Sequence, residues 1–429
     1  MVQIRRSKYF RFLKLNPRRF FLQGLVFLAV AIFIFCISYF AIPGILQTRY
    51  EKAEVVSVAT GTLVAPEIPT KKEFTATHIA TPTPVKAIYM TSWVAGSKAL
   101  RDKLINLIDI TELNSIVIDI KDYTGRISFE VEDPYLKEIG AVEKRIPDIR
   151  SLIATLHQKN IYVIGRISVF QDPHLVKVKP EFAVRRASDG LIWKDYKGIS
   201  WLDASSKDVW NYTVALGKES YKDGFDELNF DYIRFPSDGN MKDIQYLANG
   251  HRAKSEVLKD FFSFLRQNLN ATDVKLSADL FGMTTTNKDD LNIGQMLEYA
   301  LQYFDFVSPM VYPSHYPPSF MGFANPADKP YEVVKFSMDS AVRRAIATSS
   351  TLILADAQPI STSTKPFLYR KESFDQNKLR PWLQDFNLGA TYTPAMVRAQ
   401  ISATYDAGLD SWMLWNAGNR YTKEALLAE

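Results

Sequence analysis

The sequence predicts a (β/α)8 TIM barrel preceded by one N-terminal transmembrane helix and an extended linker. Three features carry that expectation. Eight short apolar runs alternate with seven amphipathic stretches through most of the chain, at the size of a barrel of roughly 250 residues with insertions. An uncharged apolar run lies near the N-terminus, and a Thr/Pro-rich stretch separates the two.

Residues 1–19 hold seven basic side chains and no acid. They read as a cytoplasmic basic tail, because positive charge beside a span stays inside. From Phe20 to Thr48 no residue is charged, and Gly24–Ile42 is almost continuously apolar. A bilayer core of about 30 Å needs roughly 20 such residues in a helix, so 20–46 is expected to be a transmembrane anchor in contact with the lipid bilayer. A cleaved signal peptide is the alternative, with a shorter apolar region of about 7–15 residues and small residues at the cut. The run at 38–43 (SYFAIP) fits that poorly. This reading gives a single-pass protein of the cell membrane, N-terminus cytoplasmic, with the remainder extracytoplasmic. Residues 47–84, closing on TPTP at 81–84, lack periodicity and read as a semi-stiff spacer.

From 85 to 429 the pattern is that of the barrel domain. Strands are expected at 86–91, 115–120, 161–167, 226–231, 274–280, 305–311, 379–385 and 411–415. Helices are expected near 98–110, 147–159, 207–222, 252–269, 291–303, 330–347 and 394–407. Pro147 and Asp148 mark a helix start, and Gly224 and Gly408 mark helix ends. An open doubly wound sheet competes with the barrel, but no GxGxxG follows the first strand. Of the long connections, 168–206 and 312–329 follow strands three and six and belong on the rim where barrels place their sites, whereas 348–378 precedes strand seven and reads as peripheral.

Composition narrows the function. The chain has 429 residues, 47% hydrophobic and 13% aromatic, enough for a large core and inconsistent with general disorder. One cysteine, Cys36, excludes a disulfide framework and a Cys-rich metal site. Five scattered histidines without HExxH disfavour a metalloprotease or a metal-dependent deacetylase, and no metal or organic cofactor is called for. The net charge of +5 comes from the N-terminal tail, and the chain beyond residue 19 is slightly acidic. Nucleic acid is therefore not an expected partner.

Polar residues at the carboxyl ends of barrel strands face the substrate. Here those ends carry Asp119, Asp231, Asp279 and Asp385, with Trp93, Tyr312, Trp382 and Trp415 at others. Converging carboxylates with aromatic faces describe a cleft for a polysaccharide or oligosaccharide, since paired acids cleave glycosidic bonds. Any one of these aspartates also suits a helix N-cap. Glu227 and Asn229 share the pleat face of Asp231 and need partners inside the barrel. Lys121, Arg166 and Arg234 are placed to orient a carboxylate or form ion pairs, His315 and Asn416 to contact a sugar hydroxyl. Trp193, Trp201 and Trp210 read as packing residues.

The run 224–239 (GFDELNFDYIRFPSDG) resembles the hallmark of a family of bacterial glycoside hydrolases, first described as a domain of unknown function and related to the alpha-amylase-like barrels. Matching blocks occur in family order: YMTSWVAGS at 89–97, VIDIKD at 117–122, FVSPMVYPSHY at 306–316, RPWLQDF at 380–386 and WMLWNA at 412–417. The resemblance implies a glycosidase, with Asp231 as nucleophile or base, Asp279 as proton donor and Asp385 in support; the strand-end rule adds Asp119 as a second supporting acid, and the N-terminal apolar run adds the membrane anchor. In chitinase-like barrels the fourth strand reads DGxDxDxDxE; aligned on Asp223 and Gly224, this chain has Ile233 where the acid stands, which disfavours that mechanism. A non-catalytic carbohydrate-binding or cell-wall scaffold on the same barrel is the alternative.

Overall fold

The computed structural model describes residues 74–428, apart from 355, 356 and 362–364. The expected tail, anchor and first part of the spacer lie outside the described residues. Among the described residues no helix is long and apolar enough to cross a membrane.

Eight parallel strands close into a barrel. They are β1 (Lys86–Met90), β2 (Ser115–Lys121), β3 (Tyr162–Ser168), β4 (Glu227–Asp231), β5 (Lys275–Phe281), β6 (Phe306–Met310), β7 (Trp382–Gln384) and β8 (Trp412–Trp415), with β8 pairing back onto β1. The main helices between them are α1 (Lys98–Asp109), α2 (Ile149–Gln158), α3 (Lys207–Asp223), α4 (Lys254–Leu269), α5 (Leu297–Tyr303), α6 (Pro330–Ile346) and α7 (Pro394–Asp406). Every expected strand and helix is present. α5 starts six residues after its expected position because Leu291 and Asn292 have positive φ, a left-handed turn that a helix cannot contain. α3 stops at Gly224, whose φ of 112° closes the helix with its N–H on Ser220 and Tyr221 carbonyls. The 348–378 connection contains a small antiparallel sheet of three short strands, Ser349–Ser350, Pro359–Ser361 and Leu368–Arg370. Alternation could not reveal strands that short.

One apolar cluster fills the space between strands and helices, and Trp193, Trp201 and Trp210 belong to it as expected. A second, smaller cluster fills the barrel around Ala87, Val117, Ile164 and Met413. Running up the interior is the polar column of β4. Its lowest member, Glu227, accepts from Arg380 Nη2 at 2.5 Å and from the Tyr162 hydroxyl at 3.2 Å. Glu227 and Arg380 are both fully buried, and the guanidinium lies 4.3 Å above the Phe306 ring. Residues from the end of the Thr/Pro-rich segment are pinned beneath it: Ile79 N–H donates to Asp226 at 2.9 Å and the Thr81 hydroxyl to Tyr162 at 3.0 Å. Among the described residues these contacts plug the floor.

A buried ion pair costs much more when one partner is removed than when both are replaced. Glu227→Leu, which strands Arg380, is expected to lower the unfolding free energy by about 3–5 kcal/mol. Replacing both residues with leucine should recover most of that loss in urea titrations.

Candidate active site at the carboxyl ends of the strands

Four strands bring four ionisable side chains together at the barrel mouth. Arg166, from β3, donates through Nη1 to Asp119 of β2 at 2.8 Å. Its Nε and Nη2 donate to Oδ2 of Asp231, at the end of β4, at 3.1 and 2.5 Å. Burial opposes the guanidinium's charge, but Asp231 and Asp119 outweigh it and hold the group firmly protonated. The other Asp231 oxygen accepts the Tyr232 N–H at 2.6 Å. Asp119 also accepts the Tyr89 hydroxyl at 2.5 Å, and burial raises its pKa against the pull of Arg166. Arg166 lies over Trp415, whose ring stacks on Tyr89 at 4.1 Å.

Asp279, from β5, differs. Its Oδ1 accepts from Asn229 Nδ2 at 2.9 Å and from the Trp382 indole N–H at 2.8 Å. Its Oδ2 has no hydrogen-bond partner among the described residues, and no cation pairs with it. Burial, and then the nearby charge of Asp231, push its pKa up to about 8. Both effects favour the protonated form of the Asp279 carboxyl.

Asp231, Asp279, Arg166, Arg234, Tyr312, His315 and Trp415 line a cavity of about 440 Å³. Gly282 belongs to the same wall; a Cβ there would lie 2.5 Å from the Met310 carbonyl oxygen and 2.8 Å from the Tyr316 hydroxyl. A second cavity of about 930 Å³, lined by Asp119, Asp122, Trp93, Arg145 and Tyr123, shares Arg166, Tyr232 and Trp415 with the first. Together they form a cleft across the mouth. Trp93 is 61% exposed, and its ring carries the Arg145 guanidinium at 4.6 Å. His315 loses basicity through burial.

Other expected site residues sit elsewhere. Lys121 is buried against Asp172 at 2.5 Å and over the Tyr212 ring, away from the cleft. Strict alternation would keep it on the Asp119 face. A register shift between Asp119 and Lys121, where β2 carries an extra residue against β3, turns it off that face. Trp382 is fully buried and cannot stack on a sugar; it supports Asp279 instead. Asp385, one residue beyond Gln384, binds Thr422 through its N–H at 2.8 Å and hydroxyl at 2.6 Å, and lines neither cavity. Asn416 donates to the carbonyls of Asp385 and Arg420 and shapes the turn after β8. Arg234 hydrogen-bonds neither aspartate. Tyr89 was missed, although its alternation with Ala87 and Thr91 on β1 placed it on the interior face. Among the described residues no group of His, Cys, Asp and Glu is arranged to hold a metal ion.

Residues 87–421 match a family model described as "Putative glycosyl hydrolase domain". The chain belongs to that family. A crystal structure of a hypothetical protein from Ruminiclostridium thermocellum is 36% identical, covering 48% of this chain and 98% of its own, with a TM-score of 0.42. The PgaB (BpsB) glycoside hydrolase domain from Bordetella bronchiseptica is 12% identical, covering 78% of this chain and 94% of its own, with a TM-score of 0.53. That likeness speaks to the fold, a barrel shared with glycoside hydrolases. No curated protein matches the chain.

The protonated state of Asp279 has a measurable cost. Between about pH 4 and pH 8 the folded protein keeps a proton that the unfolded chain, titrating near 3.9, has released. Stability from this group therefore falls as pH rises through that window. Asp279→Asn preserves the acceptor for Asn229 and Trp382 and removes the titration. The variant should match the parent near pH 4 and exceed it at pH 8, the gap growing by at most about 1.4 kcal/mol per pH unit. Denaturant unfolding across that range measures it.

Proposed function

We propose that this protein is a glycosidase that cleaves glycosidic bonds in an extracytoplasmic polysaccharide, held at the membrane by residues 20–46. The observation that carries the catalytic reading is the contrast between two carboxyl groups in one cavity. Asp231 faces a guanidinium with two donors, whereas Asp279 accepts hydrogen bonds from neutral groups alone and feels the Asp231 charge more strongly than that of Arg166. Pairs of carboxyl groups whose environments pull their protonation apart perform acid–base chemistry on acetals.

In this mechanism Asp279 gives its proton to the leaving oxygen of the scissile bond. Asp231 acts on the opposite side, either on the anomeric carbon or on a water. Arg166 keeps the Asp231 oxygens aimed, and Asp119 fixes Arg166. Tyr312 and Trp415 wall the sugar at the reacting position, and Trp93 offers a platform further along the cleft. The family supports hydrolysis in general; the residue roles rest on the geometry described above. Support for the membrane placement is the uncharged run and its basic flank.

A panel of glycans including peptidoglycan and exopolysaccharides, incubated with the full chain in detergent, tests the activity. The parent should release sugars, with Asp231→Asn and Asp279→Asn each lowering kcat by about 10²–10⁴-fold while remaining folded. Glycan binding without any release would identify a carbohydrate-binding scaffold instead. Undiminished turnover in Asp231→Asn would remove that residue from the mechanism. Trp93→Ala should raise KM for long oligosaccharides, with only a small fall in the thermal midpoint from the lost Arg145 contact.

A further inference from the structure

Arg234 is a second buried guanidinium at the mouth, and the acid–base mechanism does not use it. It stands three residues past Asp231, is only 7% exposed, and lines the cavity that contains Asp231 and Asp279. Its Nη1 donates to the Phe235 carbonyl at 3.1 Å and the Ser237 hydroxyl at 3.2 Å. Among the described residues, Nε and Nη2 have no hydrogen-bond partner and no carboxylate forms an ion pair with it. Asp238 and Asp195 lie within range of its field but neither is in ion-pair contact with it, and both Asp195 oxygens are taken, one by the Lys197 and Ile199 N–H groups and the other by the Trp201 indole. Asp231 is turned to Arg166.

The guanidinium is also held in place. Its centre lies 4.7 Å from both the Trp201 and Phe281 rings and 5.4 Å from Tyr232. Aromatic faces at those distances stabilise the cation and fix its plane. With Nη1 tied to the protein, the Nε–Nη2 edge remains. Two parallel N–H groups on that edge match the two oxygens of a carboxylate. A buried cation without an anion is costly, and a ligand that brings the anion relieves that cost.

We infer that the cavity beside Asp231 and Asp279 takes an acidic sugar, whose carboxylate is received side-on by Nε and Nη2 of Arg234. The inference rests on the glycosidase reading and narrows it to polymers containing sugar carboxylates. A carboxylate fits here despite Asp231, because that charge is met by Arg166 and burial favours the neutral form of Asp279. Arg234 is then a specificity residue; it neither gives nor takes a proton.

The test is a binding measurement that needs no bond cleavage. The full chain in detergent is titrated calorimetrically with oligouronates of four to six sugars, with the same oligosaccharides after reduction of their carboxyl groups to alcohols, and with sulfated neutral oligosaccharides. At least one oligouronate should bind about tenfold or more tightly than its reduced counterpart, the ratio expected of charge-assisted hydrogen bonds. Arg234→Gln should erase that ratio and Arg234→Lys should restore part of it, a lysine keeping the charge but losing the fork. Equal binding of acidic and reduced forms by the parent would overturn the assignment, and so would a ratio that persists in Arg234→Gln or a preference for the sulfated ligands. The parent comparison stands if Arg234→Gln fails to fold. Acidic sugars bound without cleavage would count against the glycosidase reading alone, and cleavage of neutral glycans without an acidic preference against the Arg234 subsite alone.

Discussion

A guanidinium buried between two carboxylates organises the mouth of this barrel. Arg166 reaches Asp119 on one side and Asp231 on the other, and all three side chains are nearly sealed from solvent. None could remain charged there alone, since an isolated ion in a low-dielectric site costs several kcal/mol. Their mutual contacts fix where each oxygen points. Asp119 extends the arrangement to Tyr89, and Tyr89 to Trp415, so an ion pair and an aromatic wall are set by one network. Because Arg166 is committed to Asp119 and Asp231, no cation pairs directly with Asp279. That carboxyl is buried beside negative charge and keeps its proton. The difference between the two candidate reacting groups therefore stems from a single arginine's allegiance.

The same barrel interior works oppositely at its two ends. At the floor, Glu227 and Arg380 neutralise one another beneath Tyr162, and the chain at 79–81 closes over them. At the mouth, Asp231 and Asp279 from neighbouring strands line a cavity. Asn229 connects the levels: its amide nitrogen donates to Ser277 at 3.1 Å and to Asp279. The β4 run of alternating polar residues is thus a column that begins as structural charge pairing and ends as chemistry. Such a column is stable only because each level finds partners on other strands.

Much of this was legible in the sequence, for identifiable reasons. The strands have buried β-type runs and the helices have apolar stripes, so periodicity located all fifteen main elements. Asp231 and Asp279 could be found from the strand-end rule, and the polar β4 face announced that partners must exist. What could not be read was which way residues point where alternation breaks. Lys121 leaves the cleft because of one extra residue in β2. Trp382 and Asp385 lie near the same strand end, yet the tryptophan is enclosed behind Asp279 and the aspartate turns to Thr422. Tyr89 was overlooked because a tyrosine on an apolar strand resembles core. The lack of a carboxylate partner for Arg234 is a fact of three dimensions, invisible until the neighbouring acids had found their own partners.

The proposed chemistry requires two carboxyl groups in one cavity to hold different protonation states at neutral pH. Neutron diffraction from crystals exchanged into heavy water at pH 7 observes this directly. A deuteron is expected on Oδ2 of Asp279 and none on Asp231, whose oxygens both accept from N–H donors. A bare Asp279, or a deuteron on Asp231 in its place, would contradict it.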